Sequence, residues 1–292
     1  MTAPSPTDIT TIGIVGLGLI GGSIARLIKE KRPHCHVKGF DHNTSAKVEA
    51  SQSHYFDSIC ESLDQLCNNT DLLIVATPID TVVNIILKLD RLAERHAIIT
   101  DVASVKGTII SQLSTHTLQH TVVPGHPMGG SEKSGLQYAS ASYLYHVPYL
   151  ITPLPTIPVP AHFNSFLESL SFQVTEMDAV THDQLLSLTS HMPYLVSTLL
   201  TLLFKSKLGH SKLPHTLGPG ARDTTRLSQS SASWGIEVMQ HNRESLIQLL
   251  HTFRSQTDHI LTALENDDWA ALASHFRTAK KIREDLANGF PN

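Results

Sequence analysis

The stretch IGIVGLGLIGGS, Ile12 to Ser23, leaves a chain few ways to fold. An apolar run of strand length leads into Gly16, Gly18 and Gly21, spaced G-x-G-x-x-G, and a helical pattern follows at once. Glycine at the first position permits a tight turn. At the second it lets backbone approach a pyrophosphate, and at the third it lets helix and strand pack closely. Free N–H groups at the helix start then face the turn, where an anion is favoured. The spacing therefore predicts a dinucleotide site built on Gly16, Gly18, Leu19, Ile20 and Gly21.

Asp41 strengthens that reading. It ends the next apolar run, HVKGF, twenty positions after Gly21. A carboxylate there accepts hydrogen bonds from ribose hydroxyls and repels a 2′-phosphate, which favours NAD over NADP. An aspartate in DHN also suits a turn or helix N-cap, and His42 beside it would soften rejection of a phosphate. ATPID follows a further strand, Leu72–Ala76, and puts Thr77 and Pro78 along the cofactor.

The first half continues this alternation, with strands expected at Ile12–Val15, Val37–Phe40, Leu72–Ala76, Ala97–Thr100 and Thr121–Val123. Helices begin near Gly22, Thr44, Ile79 and Val105. Strands alternating with helices argue βαβ units and a parallel sheet. A Pro-rich connector, TPLPTIPVP (Thr152–Pro160), precedes one more helix–strand unit ending near Gln173–Glu176. From about Asp178 the chain turns Leu-rich and helical in period, with a break at Leu208–Gly220. The expected architecture is α/β: an N-terminal parallel-sheet domain, residues 1–178, followed by an all-α domain, residues 179–292.

Bulk properties narrow the partners. With 292 residues, 41% hydrophobic and 16% charged, the chain can bury two cores. A net charge of -4 and the lack of any Lys/Arg-rich run argue against nucleic acid. The N-terminus has no signal-peptide pattern, and Pro193–Phe204 is too short to span a bilayer, so no membrane role is expected. Three cysteines without paired spacing, Cys35, Cys60 and Cys67, fit a cytoplasmic protein with free thiols. Histidine is abundant, at 18 copies. His34-x-His36 and His116-x3-His120 have ligand-like spacing, but nothing completes either set, so no metal is expected.

Two more strand ends carry polar groups to the same edge of the sheet. TDVASVKG places Asp101, Ser104 and Lys106 after one strand, and VVPGHPMGGSEKSG places His126 just after the next. A histidine held beside a nicotinamide can take a proton from a substrate hydroxyl as hydride leaves the same carbon. Ser104 is expected to fix its tautomer through the other ring nitrogen. In the helical half, Ser187, Ser190, His191, Tyr194, Ser197, Thr198 and Thr201 share one face of a 3.6-residue period. That stripe lacks Lys and Glu, which suits a polar wall on a cleft or a partner. Arg222 and Arg226, four apart, would share a face and clamp a carboxylate, or else form part of an ordinary surface helix.

Six motifs in order, GLGLIGGS, ATPI, DVASVKG, GHPMGGSEKSG, HDQLLSLTSHMPY and GARDTTR…W…N, resemble the prephenate/arogenate dehydrogenase family of tyrosine biosynthesis. The resemblance covers about Thr11 to Asn242. It implies a Rossmann-like domain followed by a helical dimerisation domain, a homodimer, and NAD-dependent oxidative decarboxylation of prephenate to 4-hydroxyphenylpyruvate. By it, His126 is the catalytic base and Ser104 orients it. Arg226 grips a substrate carboxylate, and Glu132 lies near the entrance. Asp223 and Trp234 match residues that can reach the site across a dimer interface. The family's SHLPH reads SHMPY here: His191 matches the first histidine, but Tyr194 replaces the second, near the substrate side chain, which leaves arogenate as an alternative substrate. The expectation is also that neither a regulatory ACT domain nor a fused chorismate mutase is present, so feedback by tyrosine would act at the active site. A β-hydroxyacid dehydrogenase shares the two-domain plan, but the matching helix lacks a lysine until Lys205. A silent NAD(H)-binding sensor is the reading from another class, and intact His126, Ser104 and Arg226 weigh against it.

Overall fold

The computed structural model describes residues 8–94, 96–208 and 217–287. Most of the expected break at Leu208–Gly220 lies outside the described residues. The chain divides into two compact units that part between Asn242 and Arg243.

The first unit opens with β1 (Thr11–Val15), α1 (Leu19–Lys31), β2 (His36–Phe40), α2 (Thr44–Ser51), β3 (Ser58–Ile59) and α3 (Leu63–Cys67). It continues through β4 (Leu72–Val75), α4 (Ile79–Leu92), β5 (Ile98–Asp101), α5 (Gly107–Leu113) and β6 (Thr121–Pro127). The sheet is completed by β7 (Pro148–Ile151), α6 (Ala161–Ser169) and β8 (Gln173–Glu176). Its eight strands run in the order β3-β2-β1-β4-β5-β6-β7-β8. All neighbours are parallel except β6 and β7. β4 and β5 are buried at every position, as strands covered on both faces must be. Alternation then divides them between two cores: Leu72 and Ile74 face one side with Leu27, Ile28 and Phe163, while Leu73 and Val75 face the other with Val82, Ile86 and Ile99. Strand order reverses between β1 and β4, so the crevice for a ligand opens at their carboxyl ends.

Two strands were not legible beforehand, the two-residue β3 and the antiparallel β7. β7 changes the site. It pairs Gly125 with Ile151, His126 with Leu150 and Pro127 with Tyr149, and so extends β6 beyond the expected end at Val123. His126 therefore stands inside a strand, held by a ladder, rather than in the loop after it. Asp101 likewise falls within β5, one residue beyond the expected end.

Helices complete the first unit. α7 (Ala179–Leu186) passes through a π turn, Ser187–His191, into α8 (Met192–Leu208), and α9 (Pro219–Thr225) and α10 (Ala232–His241) follow. The run Ala179–Ser206 is 28 residues, long and apolar enough to cross a bilayer, unlike the shorter stretch read from sequence. Yet it buries His182, Asp183 and His191 against polar partners of the same unit.

The second unit holds α11 (Arg243–Glu265) and α12 (Trp269–Ala287), joined by a turn in which Asp267 is left-handed, φ 54°. The two helices pack on each other yet leave Leu261, Leu264, Trp269, Phe276, Ile282 and Leu286 exposed.

Gly21 anchors the first βα unit, because any Cβ there would overlap the carbonyl oxygen of Gly16, which is backbone and cannot swing aside. Gly21→Ala is expected to lower unfolding free energy by roughly 3 kcal/mol in denaturant titration. An unchanged midpoint would contradict this packing.

Candidate active site

The glycine turn is shaped as a cradle. Gly16 takes φ 96°, and a Cβ on it would strike the Ala76 carbonyl. Gly18 is different: a Cβ there would meet nothing within 4 Å, so open space lies above this backbone. α1 begins immediately after it, with no side-chain cap and no acidic residue in its first turn. Its first N–H groups thus remain donors without a carboxylate competing for them. Asp41 holds the turn from β2. Its Oδ2 accepts from Leu17 N at 2.9 Å and its Oδ1 from Asn43 N at 2.8 Å. Open backbone, uncapped helix start and adjacent carboxylate together fit a dinucleotide.

A cleft of about 1040 Å³ extends from this cradle. Gly18, Leu19, Ile20, Thr77, Pro78 and Ser104 line its sheet side, together with His126. Glu132, Thr189, Ser190, Arg226, Trp234 and Glu237 close the other side. Glu237 also accepts from Ile79 N at 3.2 Å, and His241 meets Asp80 at 2.7 Å, so α10 is fastened to the start of α4.

His126 is half-buried, and its Nδ1 faces His182 Nε2 at 3.0 Å. That contact corrects the expectation for Ser104. The serine lines the same cleft, but the imidazole's inner nitrogen is taken by a histidine from α7. His182 is fully buried, and its Nδ1 lies 2.8 Å from Asp183 Oδ1. Asp183 in turn accepts from Lys106 N and Gly107 N, each at 2.8 Å. Burial holds the His126 pKa well below its usual range, and repulsion from His182, Lys106 and His191 adds to this. The ring is neutral at pH 7 and able to accept a proton.

Arg226 and Glu132, read separately from sequence, meet at 3.4 Å on the cleft wall. Other expected residues stand elsewhere. Asp101 is fully buried, bonded to the Lys106 ammonium and to Ala103 N, and so lies beneath the cleft rather than on it. Arg222 and Asp223 pair with each other on the exposed surface at 3.2 Å. α9 ends at Thr225, so Arg222 and Arg226 do not continue on one helical face, and no clamp forms within this chain. Trp234 reaches the cleft of its own chain. His191 and Tyr194 sit behind it, their rings edge-on to the indole at 6.3 and 5.5 Å. The π turn is the reason: it breaks the expected stripe, turning Thr189 and Ser190 to the cleft while His191 and Ser197 become buried. Burial lowers the His191 pKa to about 4, with Asp183 opposing and His182 adding to the shift.

His182 and Glu237 were missed from sequence. His182 carried a signal, a histidine directly before Asp183 early in the helical half, but nothing in its spacing says that it meets β6. Among the described residues no three His, Cys, Asp or Glu side chains gather as a metal site. His120 instead pairs with buried Asp90 at 3.2 Å.

Comparison with known proteins matches the chain to two family models in succession. Residues 24–169 match the family model described as prephenate dehydrogenase, nucleotide-binding domain, and residues 178–278 match prephenate dehydrogenase, dimerization domain. The chain is 27% identical over 277 residues to cyclohexadienyl dehydrogenase of Zymomonas mobilis, covering 93% of this chain and 94% of that protein. It is 29% identical over 284 residues to prephenate dehydrogenase of Bacillus subtilis, covering 94% and 76%. The fold matches prephenate dehydrogenase from A. aeolicus, solved with hydroxyphenyl propionate and NAD+, at TM-score 0.85 and 23% identity over 96% of this chain and 99% of that one. It also matches Synechocystis arogenate dehydrogenase at TM-score 0.76 and 27% identity over 95% and 100%. A neutral histidine between a dinucleotide cradle and an Arg–Glu pair, on a fold matched along nearly its whole length, leads to one conclusion: the chain belongs to the prephenate dehydrogenase family.

Proposed function

We propose that the chain oxidatively decarboxylates prephenate to 4-hydroxyphenylpyruvate with NAD, as a cytoplasmic homodimer. In this reading residues 1–178 bind the nucleotide and residues 179–292 serve dimerisation and substrate binding. The observation that carries it is the half-buried, neutral His126, standing in the cleft between the Gly18 cradle and the Arg226–Glu132 pair.

NAD, when bound, supplies the hydride acceptor. The chain's own residues do the rest. Backbone at Gly18 and the start of α1 hold the diphosphate, and Asp41 meets the adenosine ribose. His126 Nε2 takes the proton of the C4 hydroxyl, which turns that carbon toward a ketone. The product is a vinylogous β-keto acid, and its loss of carbon dioxide makes the ring aromatic. The proton held by His126 then returns to the oxygen as phenol. Aromatisation drives the sequence, so the protein mainly aligns the substrate and supplies the base. Arg226, released in part from Glu132, grips a carboxylate of the substrate. Ser104, which lines the same cleft as His126, can meet the substrate hydroxyl.

Homodimerisation is supported by the exposed apolar residues of α11 and α12, which need a cover. Arogenate is the second substrate reading. It draws on the cleft carboxylates Glu132 and Glu237, which suit an ammonium. Tyr194 lies behind Trp234, so its replacement of a histidine acts on the substrate side chain through the indole rather than by contact.

Purified protein should form NADH with prephenate and NAD; no turnover with prephenate or arogenate, despite NAD binding, would overturn the reading. His126→Asn should lower kcat by about three orders of magnitude with NAD affinity unchanged. Turnover near wild type would remove His126 as the base. Gly18→Ala should keep stability within about 1 kcal/mol, since its Cβ has free space, yet weaken NAD binding by roughly tenfold or more in a titration. Unaltered affinity would place the diphosphate elsewhere.

A further inference from the structure

A base at His126 must present a lone pair to the cleft, and an imidazole offers that at only one nitrogen at a time. Which nitrogen carries the proton depends on what the other one meets. On the inner side of the ring the chain has built a line of four residues: His182 and Asp183 of α7, Lys106 of the β5–α5 loop and Gly107 at the start of α5. Its far end sets the direction. Lys106 N and Gly107 N can only donate, and both donate to Asp183, one to each carboxylate oxygen, at 2.8 Å. Asp183 is therefore an acceptor on both oxygens. His182 Nδ1, 2.8 Å from Asp183 Oδ1, must carry a hydrogen. A neutral His182 then has a bare Nε2, and this atom faces His126 Nδ1 at 3.0 Å.

We infer that His182 is the positioning residue of the site: its Nε2 accepts the Nδ1–H of His126, which leaves the His126 Nε2 lone pair directed at the cleft. The inference rests on the assignment of His126 as base and adds the groups that orient it.

The supports of His182 are built as securely as the contact itself. It lies in the second turn of α7, whose N-cap Asp178 accepts from Thr181 N at 2.9 Å, and His182 N donates to Asp178 O at 2.9 Å. Asn242 Nδ2 donates to Asp183 O at 2.7 Å and steadies the same turn. Gly107 leaves the carboxylate its place, since a Cβ there would stand 2.8 Å from Asp183 Oδ2 and push it aside. The charged groups around His126 fit the assignment. The Lys106 ammonium is occupied by Asp101, and burial keeps His191 neutral at pH 7. The imidazolium that forms when His126 takes a proton is then met through His182 by the Asp183 carboxylate.

The test uses the full chain labelled with 15N-histidine. At neutral pH the wild-type His126 should show a protonated Nδ1 and an unprotonated Nε2, whether or not substrate turns over. In assays, His182→Leu removes the acceptor and should lower kcat by roughly 30-fold or more, with KM for prephenate and NAD within about threefold. His182→Gln offers a carboxamide oxygen at nearly the same place and should recover most of that loss. A His126 protonated on Nε2 would overturn the inference, as would His182→Leu turning over like wild type or His182→Gln falling as far as His182→Leu. Should His182→Leu fail to fold, the wild-type spectrum and His182→Gln still decide. A wild-type protein inert toward prephenate and arogenate would refute the functional reading alone, because the spectrum reads the tautomer independently.

Discussion

The carboxylate of Asp183 is the joint on which the site depends. It ends two backbone N–H groups of the β5–α5 loop and one imidazole of α7, at 2.8 Å in each case. Through it, a helical segment that follows the sheet in sequence is locked to the sheet's carboxyl edge, and the central histidine on β6 gains a partner. A carboxylate with three hydrogen bonds is well compensated for burial. Remove it and three donors lose their partner where little water reaches, which costs more than one ordinary hydrogen bond.

Beneath the cleft a second charged pair, Lys106 with Asp101, is fully buried. Burial pulls the lysine pKa down, while Asp101 and Asp183 pull it back up. Such a pair contributes little net stability, because desolvation offsets attraction, but it leaves few alternative arrangements for the loop between β5 and α5. That loop carries Ser104 to the cleft wall and offers Asp183 its two N–H groups. The site is thus a polar layer between the sheet edge and α7, reached from the cleft at His126.

Much of this was legible in the sequence, for stated physical reasons. Glycines spaced at 16, 18 and 21 between an apolar run and a helical pattern mark a tight turn and a close helix–strand approach, so the first βα unit and its cradle followed directly. Apolar runs at β1, β2, β4, β5 and β6 announced a parallel sheet, because strands covered on both faces must be apolar throughout. What sequence could not show were consequences of pairing at a distance. β7 is four residues beside a Pro-rich connector, and only its antiparallel ladder with β6 places His126 in a strand. The π turn at Ser187–His191 has no period of its own, so the polar stripe looked continuous where the structure divides it. Arg222 and Arg226 looked like a pair because four residues make a helical turn, but the helix stops between them. His182 met His126 across 56 positions, a separation for which local pattern carries no signal.

The proposed chemistry needs a base kept neutral by its surroundings, and the pH dependence of kcat/KM for prephenate tests this most directly. In the proposed reaction His126 works as the neutral imidazole; its pKa lies well below the usual value of 6.5, with burial as the main cause. Activity should therefore hold level from neutral pH down through 6.5 and fall only well below it. A decline already centred at 6.5 or above would mean that His126 is solvated and readily charged, and the polar layer behind it would not be setting the chemistry.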